Sequence, residues 1–264
     1  MSSDVNGVMF AEERKLKIIE LLNQNKKVTV PELVELFSVS SATIRSDLRE
    51  LNDKGQIIRT HGGAIIESRA GFEPDTARKR SLNLAAKQQI ARLAIGLIED
   101  GDTVIFDTGT TTMELARLLD QRLQIKAVTN DLEIARVLEE MNSVSVVVLG
   151  GELRRNFHCT VGAPGINMLA QLAVDKAFMG TNSLSISHGA STPNLQQAEI
   201  KKAMIASAKQ VVLLCSNRKL GKDSFAHFAS LEQINTLVIE KIDAKEKVEF
   251  EERGVEVLTQ SNGD

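Results

Sequence analysis

Residues 29–64 read TVPELVELFSVSSATIRSDLRELNDKGQIIRTHGGA, and their pattern predicts the fold of the first part of the chain. Thr29 and Glu32 have the spacing of a helix capping box, and Pro31 falls in the first turn, where its missing N–H costs nothing. Apolar residues at helical spacing follow as far as Phe37. The pattern predicts a short helix with a defined N-terminal cap.

A second helix is predicted directly after residues 38–40, which are too few for anything but a turn. Ser40 or Ser41 can cap this helix, and Gly55 is expected to end it. Its buried face has apolar residues at positions i, i+4 and i+7, which are Ile44, Leu48 and Leu51.

The pattern continues on either side of these two helices. Upstream, residues 12–23 have the apolar periodicity of an amphipathic helix. Downstream, residues 56–66 have the pattern of two short strands joined through residues 60–63. Three helices with a three-residue turn between the second and third, followed by a hairpin, predict a winged helix-turn-helix domain. We assign it to residues 11–67, after a flexible N-terminus at 1–10.

A winged helix-turn-helix fold places its third helix in the major groove of DNA, where arginine can bind guanine and hydroxyl groups can reach phosphates. The wing brings its backbone close to the phosphodiester chain. The candidate DNA contacts are Ser40, Ser41, Thr43, Arg45, Ser46, Arg49, Arg59, His61, Gly62 and Gly63. Two alternatives stay open. Arg45 and Arg49 could pair with the carboxylates at 47, 50 and 53, or the glycines could form a tight turn with positive φ.

The composition limits the class of protein. The chain has 264 residues, which suit one α/β domain or a short domain plus a larger one, and 25% of them are charged, as in ordinary globular proteins. No apolar run approaches the roughly 18 residues of a membrane-spanning helix, and the N-terminus lacks the apolar stretch of a signal peptide. We therefore expect a soluble, cytoplasmic protein rather than a collagen, a disordered chain or a membrane protein.

Cysteine, aromatic and charge counts exclude further classes. Cys159 and Cys215 are too few for a disulfide framework and form no CxxC motif. The lack of Trp and Tyr disfavours proteins that bind single strands by stacking. The net charge is −3, and residues 1–66 contain nine basic and nine acidic residues, so any DNA contact must come from a local face.

A larger α/β domain is predicted over residues 84–264, after a linker at 68–83 that mixes charge, Gly and Pro without periodicity. Its helices are predicted at 84–98, 112–119, 131–141, 195–209 and 244–253. Its strands are predicted at 103–107, 125–129, 144–150, 211–216, 236–240 and 255–258, and its middle is less regular. Continuous apolar strands between amphipathic helices predict a mostly parallel sheet covered on both faces.

Residues 107–112 (DTGTTT) follow a predicted strand and open a predicted helix. Unpaired N–H groups and the helix dipole at such a position suit a phosphate. The alternative is an ordinary capped turn, since neither a P-loop nor a GxGxxG motif occurs. Other residues that follow strands should meet the same crevice, because ligands bind at the carboxyl ends of parallel strands. The candidate effector-binding residues are Asp107, Thr108, Gly109, Thr110, Thr111, Thr112, Asn130, Gly150, Gly151 and Lys219.

His158, Cys159 and His188 are interpreted as structural residues. His158 and Cys159 are adjacent, His188 stands apart, and none has the spacing of a metal site or of a paired nucleophile. Arg154 and Arg155 are either a solvated pair or an anion contact. We predict no metal site, no catalytic residue and no cofactor.

Seven short motifs along the chain carry a family resemblance: TIRSDL at 43–48, HGGA at 61–64, DTGTTT at 107–112, TN at 129–130, LGG at 149–151, DKAFMG at 175–180 and KLG at 219–221. Together they resemble the DeoR family of bacterial transcriptional repressors. The resemblance implies a winged helix-turn-helix joined to a sensor domain similar in fold to ribose-5-phosphate isomerase and glucosamine-6-phosphate deaminase. It also implies a phosphorylated sugar whose binding weakens operator affinity.

The chain departs from the family pattern at three places: Ser46 replaces a usual arginine, Asn194 replaces a common acidic residue, and residues 215–219 (CSNRK) lack a usual carboxylate. We predict a repressor of a carbohydrate-utilisation operon with two partners, double-stranded operator DNA and a phosphorylated sugar-like effector. An even-numbered homo-oligomer is expected because paired half-sites require one. The competing hypotheses are a sugar-phosphate isomerase or deaminase and, less favoured, a protein-contact adaptor. We predict no enzyme because the motifs supply no evident general base.

Overall fold

The computed structural model describes residues 10–53, 57–65 and 73–260, without the side chains of Asn23, Gln24 and Arg78. The chain divides into two compact units, Met1–Phe72 and Glu73–Asp264. Residues 1–9, Gly55 and the first five residues of the predicted linker lie outside the described residues.

The first unit has the predicted order of three helices and a hairpin, with one unpredicted strand between the first and second helices. Its elements are α1 (Ala11–Asn25), β1 (Lys27–Thr29), α2 (Val30–Phe37), α3 (Ser41–Asp53), β2 (Ile58–Thr60) and β3 (Gly63–Ile65). In the described part of this unit, the strands form an antiparallel sheet in the order β1-β3-β2. The winged helix-turn-helix prediction is confirmed.

Local capping explains where α2 and α3 begin. The hydroxyl of Thr29 accepts from the N–H of Glu32, and the Glu32 carboxylate accepts from the N–H of Thr29 at 2.7 Å, which closes the predicted capping box. Ser40 rather than Ser41 caps α3, because its hydroxyl accepts from the N–H of Thr43 at 3.1 Å. Between these helices lies an apolar core that includes Ile18, Leu22, Leu33, Ile44 and Leu48.

The glycines of the hairpin have a different role from the one considered in the sequence. Neither Gly62 nor Gly63 has positive φ, so that explanation was wrong. A Cβ on Gly63 would lie 2.0 Å from the carbonyl oxygen of Val28, because β3 approaches β1 closely. A Cβ on Gly62 would meet no atom within 4 Å. Gly63 is therefore required for strand pairing, whereas Gly62 is sterically free.

We expect Gly63→Ala to break the β1–β3 pairing and to destabilise the wing by about 1–3 kcal/mol, because backbone atoms cannot move aside as side chains can. Gly62→Ala is the matched control and should have no effect. Amide hydrogen exchange measured on peptides covering β1 and β3 checks this. Equal protection in both variants would contradict the steric role of Gly63.

The second unit contains the remaining helices and strands. Its helices are α4 (Thr76–Ser81), α5 (Leu84–Ala94), α6 (Thr110–Arg117), α7 (Leu132–Glu139), α8 (Ala163–Leu169), α9 (Leu195–Ala206) and α10 (Ala244–Glu251). Its strands are β4 (Thr103–Phe106), β5 (Ile125–Thr129), β6 (Val144–Val148), β7 (Glu152–Arg154), β8 (Cys159–Val161), β9 (Val174–Gly180), β10 (Ser183–Ser185), β11 (Gly189–Thr192), β12 (Ala208–Leu214), β13 (Ala226–Ala229), β14 (Thr236–Val238) and β15 (Glu256–Leu258).

Within the described residues, the main sheet is wholly parallel and has the order β15-β14-β12-β9-β4-β5-β6. Helices α5, α6 and α7 cover one face and α8, α9 and α10 the other. Side chains alternate between these two cores, so Phe106 and Phe178 face the first while Ile105 and Ala177 face the second. The predicted parallel sheet with helices on both faces is confirmed.

Two parts of the second unit differ from the sequence-based expectation. Helix α4 lies inside the segment interpreted as an irregular linker, and the division between units falls after Phe72. The irregular middle contains β9, a central strand that was missed because Asp175 and Lys176 interrupt its apolar run. These charges are paired at the edge of the core: Lys176 lies 2.8 Å from Asp102.

Candidate functional site

The outer face of α3 presents the predicted basic residues. Arg45, Ser46 and Arg49 are exposed, while the apolar residues of the helix face the core. Asp47, which could have neutralised Arg45, is instead buried and paired with Arg14 of α1 at 2.5 Å. Within the described ranges, neither Arg45 nor Arg49 forms an ion pair.

The neighbouring carboxylate of Glu50 is also engaged elsewhere, since it lies 2.6 Å from the ammonium of Lys15. Two carboxylates of α3 thus hold it against α1 and leave its outer arginines available to a phosphate or a base. These contacts do not support the alternative that Asp47 and Glu50 neutralise Arg45 and Arg49 on the same helix.

The wing carries four further predicted DNA contacts, Arg59, His61, Gly62 and Gly63. His61 and Gly62 are exposed at the tip, whereas Gly63 is buried against β1. The N–H of Arg59 donates to the side-chain oxygen of Asn52 at 3.1 Å, which ties the wing to the end of α3. The structure therefore brings Arg59 and His61 to the hairpin next to α3, and Gly63 supports them from inside.

The candidate crevice of the second unit is the place where the strand order reverses, between β4 and β9. Strand β4 has β5 on one side and β9 on the other. From β4 the chain adds β5 and β6 in one direction, and from β9 it adds β12, β14 and β15 in the opposite direction. In such sheets, ligands bind outside the carboxyl ends of the strands at this switch point. Asp107 follows β4, and Gly180 ends β9. Asp107, one of the predicted effector-binding residues, thus lies at the switch point.

Asp107 is the centre of a buried network. Its Oδ2 is paired with the ammonium of Lys201 and accepts from the N–H of Gly180 at 2.8 Å. Lys201 also donates to the carbonyl of Gly180 at 2.9 Å, and both charged side chains are almost fully buried. Burial raises the pKa of Asp107, and the ammonium of Lys201 acts in the opposite direction. The second carboxylate oxygen, Oδ1, has no partner among the described residues.

The first turn of α6 has features of an anion site. Gly109 precedes it with φ of +156°, and no side chain caps the helix, so its first N–H groups are open to a ligand. Two of the hydroxyls are already used: Thr108 donates to Asp131 at 2.7 Å, and Thr112 donates to the carbonyl of Gly109 at 2.8 Å. Within the described residues, the hydroxyls of Thr110 and Thr111 have no hydrogen-bond partner.

The other predicted strand-end residues divide into two groups. Asn130 is fully buried, its amide N–H donates to Thr160 at 2.8 Å, and its Oδ1 has no partner among the described residues. Gly150 and Gly151 instead begin the turn into β7. A Cβ on Gly151 would lie 2.3 Å from the carbonyl oxygen of Val161, so this glycine is needed for packing against β8.

Cations collect on the β9–β12 side of the crevice. Lys219 donates to the carbonyl of Thr181, directly after β9, and burial lowers its pKa to about 8. Burial likewise lowers the pKa of Lys87 to about 7, and the charges of Lys219 and Arg218 act in the same direction. Burial and neighbouring cations disfavour the protonated form of these amines, so a bound anion, which stabilises that form, would be favoured here.

Several residues of this region were missed in the sequence analysis. They are Glu73, Lys79, Lys87, Lys201 and Glu240. Glu240 accepts from the N–H of Asn217 at 3.2 Å. It thus places a carboxylate beside residues 215–219, the segment that lacks the usual carboxylate of the family pattern. No local pattern marks these side chains, because single Lys and Glu residues on helices and loops are usually solvated.

The remaining singled-out residues have structural surroundings. Cys159 and Cys215 are buried free thiols, and burial raises the pKa of Cys159 to about 11. Among the described residues, no group of three or more His, Cys, Asp or Glu side chains could hold a metal ion. Asn194, a departure from the family pattern, caps α9 by accepting from the N–H of Gln197 at 2.9 Å, a role that Asp fills equally well. Arg154 pairs with Glu73 at 2.7 Å.

Comparison with family models supports the division into two parts. Residues 14–70 match the DeoR-like helix-turn-helix domain, and residues 82–241 match the DeoR C terminal sensor domain. The HTH-type transcriptional regulator GlpR of Haloferax volcanii is 39% identical over 95% of this chain and 98% of its own length. The HTH-type transcriptional repressor GlcR of Bacillus subtilis is 33% identical over 95% and 96%.

A putative aga operon transcriptional repressor of Escherichia coli O157:H7 is 32% identical over 97% of this chain and 98% of its own length. The relatives are named as regulators and repressors, which confirms the prediction of a transcriptional regulator rather than an enzyme.

Similar solved structures include ribose 5-phosphate isomerase A from Methanocaldococcus jannaschii, with a TM-score of 0.40 and 19% identity over 52% of this chain and 55% of that one. The eIF2B delta subunit from Chaetomium thermophilum has a TM-score of 0.45 and 14% identity over 86% and 70%. Among the described residues, every helix is too short or too polar to span a lipid bilayer.

Proposed function

Because this chain belongs to the DeoR family of transcriptional regulators, we propose that it represses a carbohydrate-utilisation operon and leaves the operator when a phosphorylated sugar binds its second unit. The observation that carries the proposal is the crevice around Asp107. It combines an uncapped helix N-terminus and nearby ammonium groups, which suit a phosphate, with unpaired buried acceptors.

The unpaired acceptors indicate what the rest of the ligand carries. Asp107 Oδ1 and Asn130 Oδ1 are buried without a partner among the described residues, and such groups cost free energy until a donor reaches them. Sugar hydroxyls are donors of the right kind. A phosphorylated polyhydroxy compound therefore fits the crevice better than a phosphate alone or an apolar metabolite.

The test is a thermal-shift panel of phosphorylated sugars and sugar alcohols on the full chain, with the unphosphorylated compounds as matched controls. A ligand that binds only the folded state raises the melting temperature by mass action. We expect shifts from one or a few phosphorylated compounds and none from their unphosphorylated forms. Equal shifts from both forms would contradict phosphate recognition.

The first unit supplies the operator contact, and the exposed Arg45 and Arg49 of α3 are the proposed base-reading side chains. Cytoplasmic location and an even-numbered homo-oligomer belong to the same proposal, since paired half-sites are read by paired domains.

We expect Arg45→Ala to cost about 1–3 kcal/mol of operator binding and to relax base preference. Arg59→Ala, at a proposed phosphate contact, should weaken all sequences similarly and flatten the salt dependence. Gel shifts at two salt concentrations, on an operator selected from a random DNA pool, distinguish the two. Unchanged operator affinity of the Arg45 variant would remove α3 from the recognition role.

A further inference from the structure

The segment that begins the second unit contains a buried carboxylate held by several partners. Glu73 is paired with the ammonium of Lys79 and lies 2.7 Å from the guanidinium of Arg154. The amide of Asn182 also donates to it at 3.3 Å. Only 8% of its side chain is exposed, so its negative charge is neutralised almost entirely by the protein.

The two cations that hold Glu73 come from different elements and meet over one ring. The guanidinium of Arg154, on β7, lies 3.8 Å from the ring centre of Phe157, and the ammonium of Lys79, on α4, lies 5.3 Å from it. This arrangement fixes both side chains on an apolar support. It forms a prepared anion subsite whose present occupant is a carboxylate of the same chain.

This subsite is continuous with the crevice. Lys87 donates to the backbone carbonyl of Lys79, and Asn182 directly follows Thr181, which accepts from Lys219. The positive charge of Lys79 helps to lower the pKa of both Lys87 and Lys219. Arg154 is connected to the crevice as well, because it pairs in register with Cys159 of β8, and the next residue, Thr160, accepts a hydrogen bond from the crevice residue Asn130.

We propose that Glu73 acts as an internal competitor: an anionic ligand takes over Arg154, and Glu73, displaced together with its partner Lys79, releases residues 73–81. This inference rests on the proposed function for the existence of a crevice ligand. It adds that ligand binding changes residues 73–81, which directly follow the end of the first unit at Phe72. A ligand can shift the DNA equilibrium only through such a difference between two states.

The test uses the full chain, inorganic phosphate as the probe, and trypsin. Residues 78–80 are Arg-Lys-Arg, so release of α4 exposes three cleavage sites. In the wild type, we expect phosphate to accelerate cleavage at 78–80. In Glu73→Gln, cleavage should be fast without phosphate, and phosphate should bind about tenfold more tightly because no internal carboxylate opposes it.

Glu152→Gln is the matched control, because it removes an exposed carboxylate from β7, the strand that carries Arg154. It should behave as the wild type. Glu73→Asp keeps the charge with a shorter reach, and we expect cleavage and phosphate affinity between those of the wild type and Glu73→Gln. Far-UV circular dichroism checks that each variant is folded.

The outcomes separate the two proposals. Phosphate binding that Thr110→Glu removes but Glu73→Gln leaves unchanged, with normal cleavage, would overturn the competitor and leave the crevice proposal standing. Binding to Glu73→Gln but not to the wild type would support competition. Binding to neither chain would overturn both the competitor and the phosphate site.

Discussion

Thr110→Glu is expected to fold, to repress normally and to lose induction. Thr110 lies in the first turn of α6, where the open N–H groups and the helix dipole are proposed to hold the effector's phosphate. A carboxylate at this position fills the space and repels a dianion. Two unit charges 4 Å apart repel by roughly 4 kcal/mol at an effective dielectric constant of 20. That corresponds to on the order of a thousandfold weaker effector binding.

The matched control is Thr110→Gln, which has nearly the same size without the charge. It should weaken the effector much less than Thr110→Glu does. Gly109→Val should act like Thr110→Glu, since this glycine has positive φ and a side chain there is strained. Operator binding should be retained in each variant, because the loss of effector binding removes only the effector-dependent change in operator affinity.

A reporter strain carrying each variant, with protein levels checked by blotting, measures repression and induction separately. Normal induction by Thr110→Glu would show that the anion binds elsewhere. Loss of repression at normal protein level would show that the substitution disturbs the fold or the DNA-binding state.

Lys201→Met is expected to destabilise the second unit by about 3–5 kcal/mol at pH 8, because it leaves the buried carboxylate of Asp107 without its cation. Methionine fills a similar volume, so most of the loss comes from charge rather than from a cavity. Urea unfolding of the full chain, followed by far-UV circular dichroism, measures the change.

The sign of the pH dependence follows from the pKa of Asp107. Burial raises the pKa of Asp107 in the folded state, and removal of Lys201 raises it further. A raised folded-state pKa means that protonated Asp107 favours the folded state. This contribution to stability is fully present below the unfolded pKa of about 3.9 and is lost as pH rises through the folded pKa. The deficit of Lys201→Met relative to the wild type should be smaller at pH 5 than at pH 8.

The double variant Asp107→Asn with Lys201→Met is the control for the pair. Neutralising both partners should recover much of the stability lost in Lys201→Met, as a double-mutant cycle would measure. A deficit below about 1 kcal/mol at pH 8, or one independent of pH, would contradict an uncompensated buried charge as its cause.

Some features of the site were predictable because they depend on neighbours in sequence. The position of residues 107–112 between a strand and a helix follows from local periodicity, and the structure has both elements there. The cation that pairs with Asp107 was not predictable. Lys201 is 94 residues away on α9, and nothing in the surrounding sequence distinguishes it from a solvated lysine.

Local sequence patterns account for the capping box at Thr29, the turn before α3, and the alternation of strands and helices that makes a parallel sheet. These depend on interactions within a few residues and on a repeating apolar period. The position of β9 beside β4, and hence the contact of Asp107 with Gly180 and Lys201, is visible only in the folded chain. Parallel pairing is made by hydrogen bonds between distant segments, so its order leaves no local pattern in the chain.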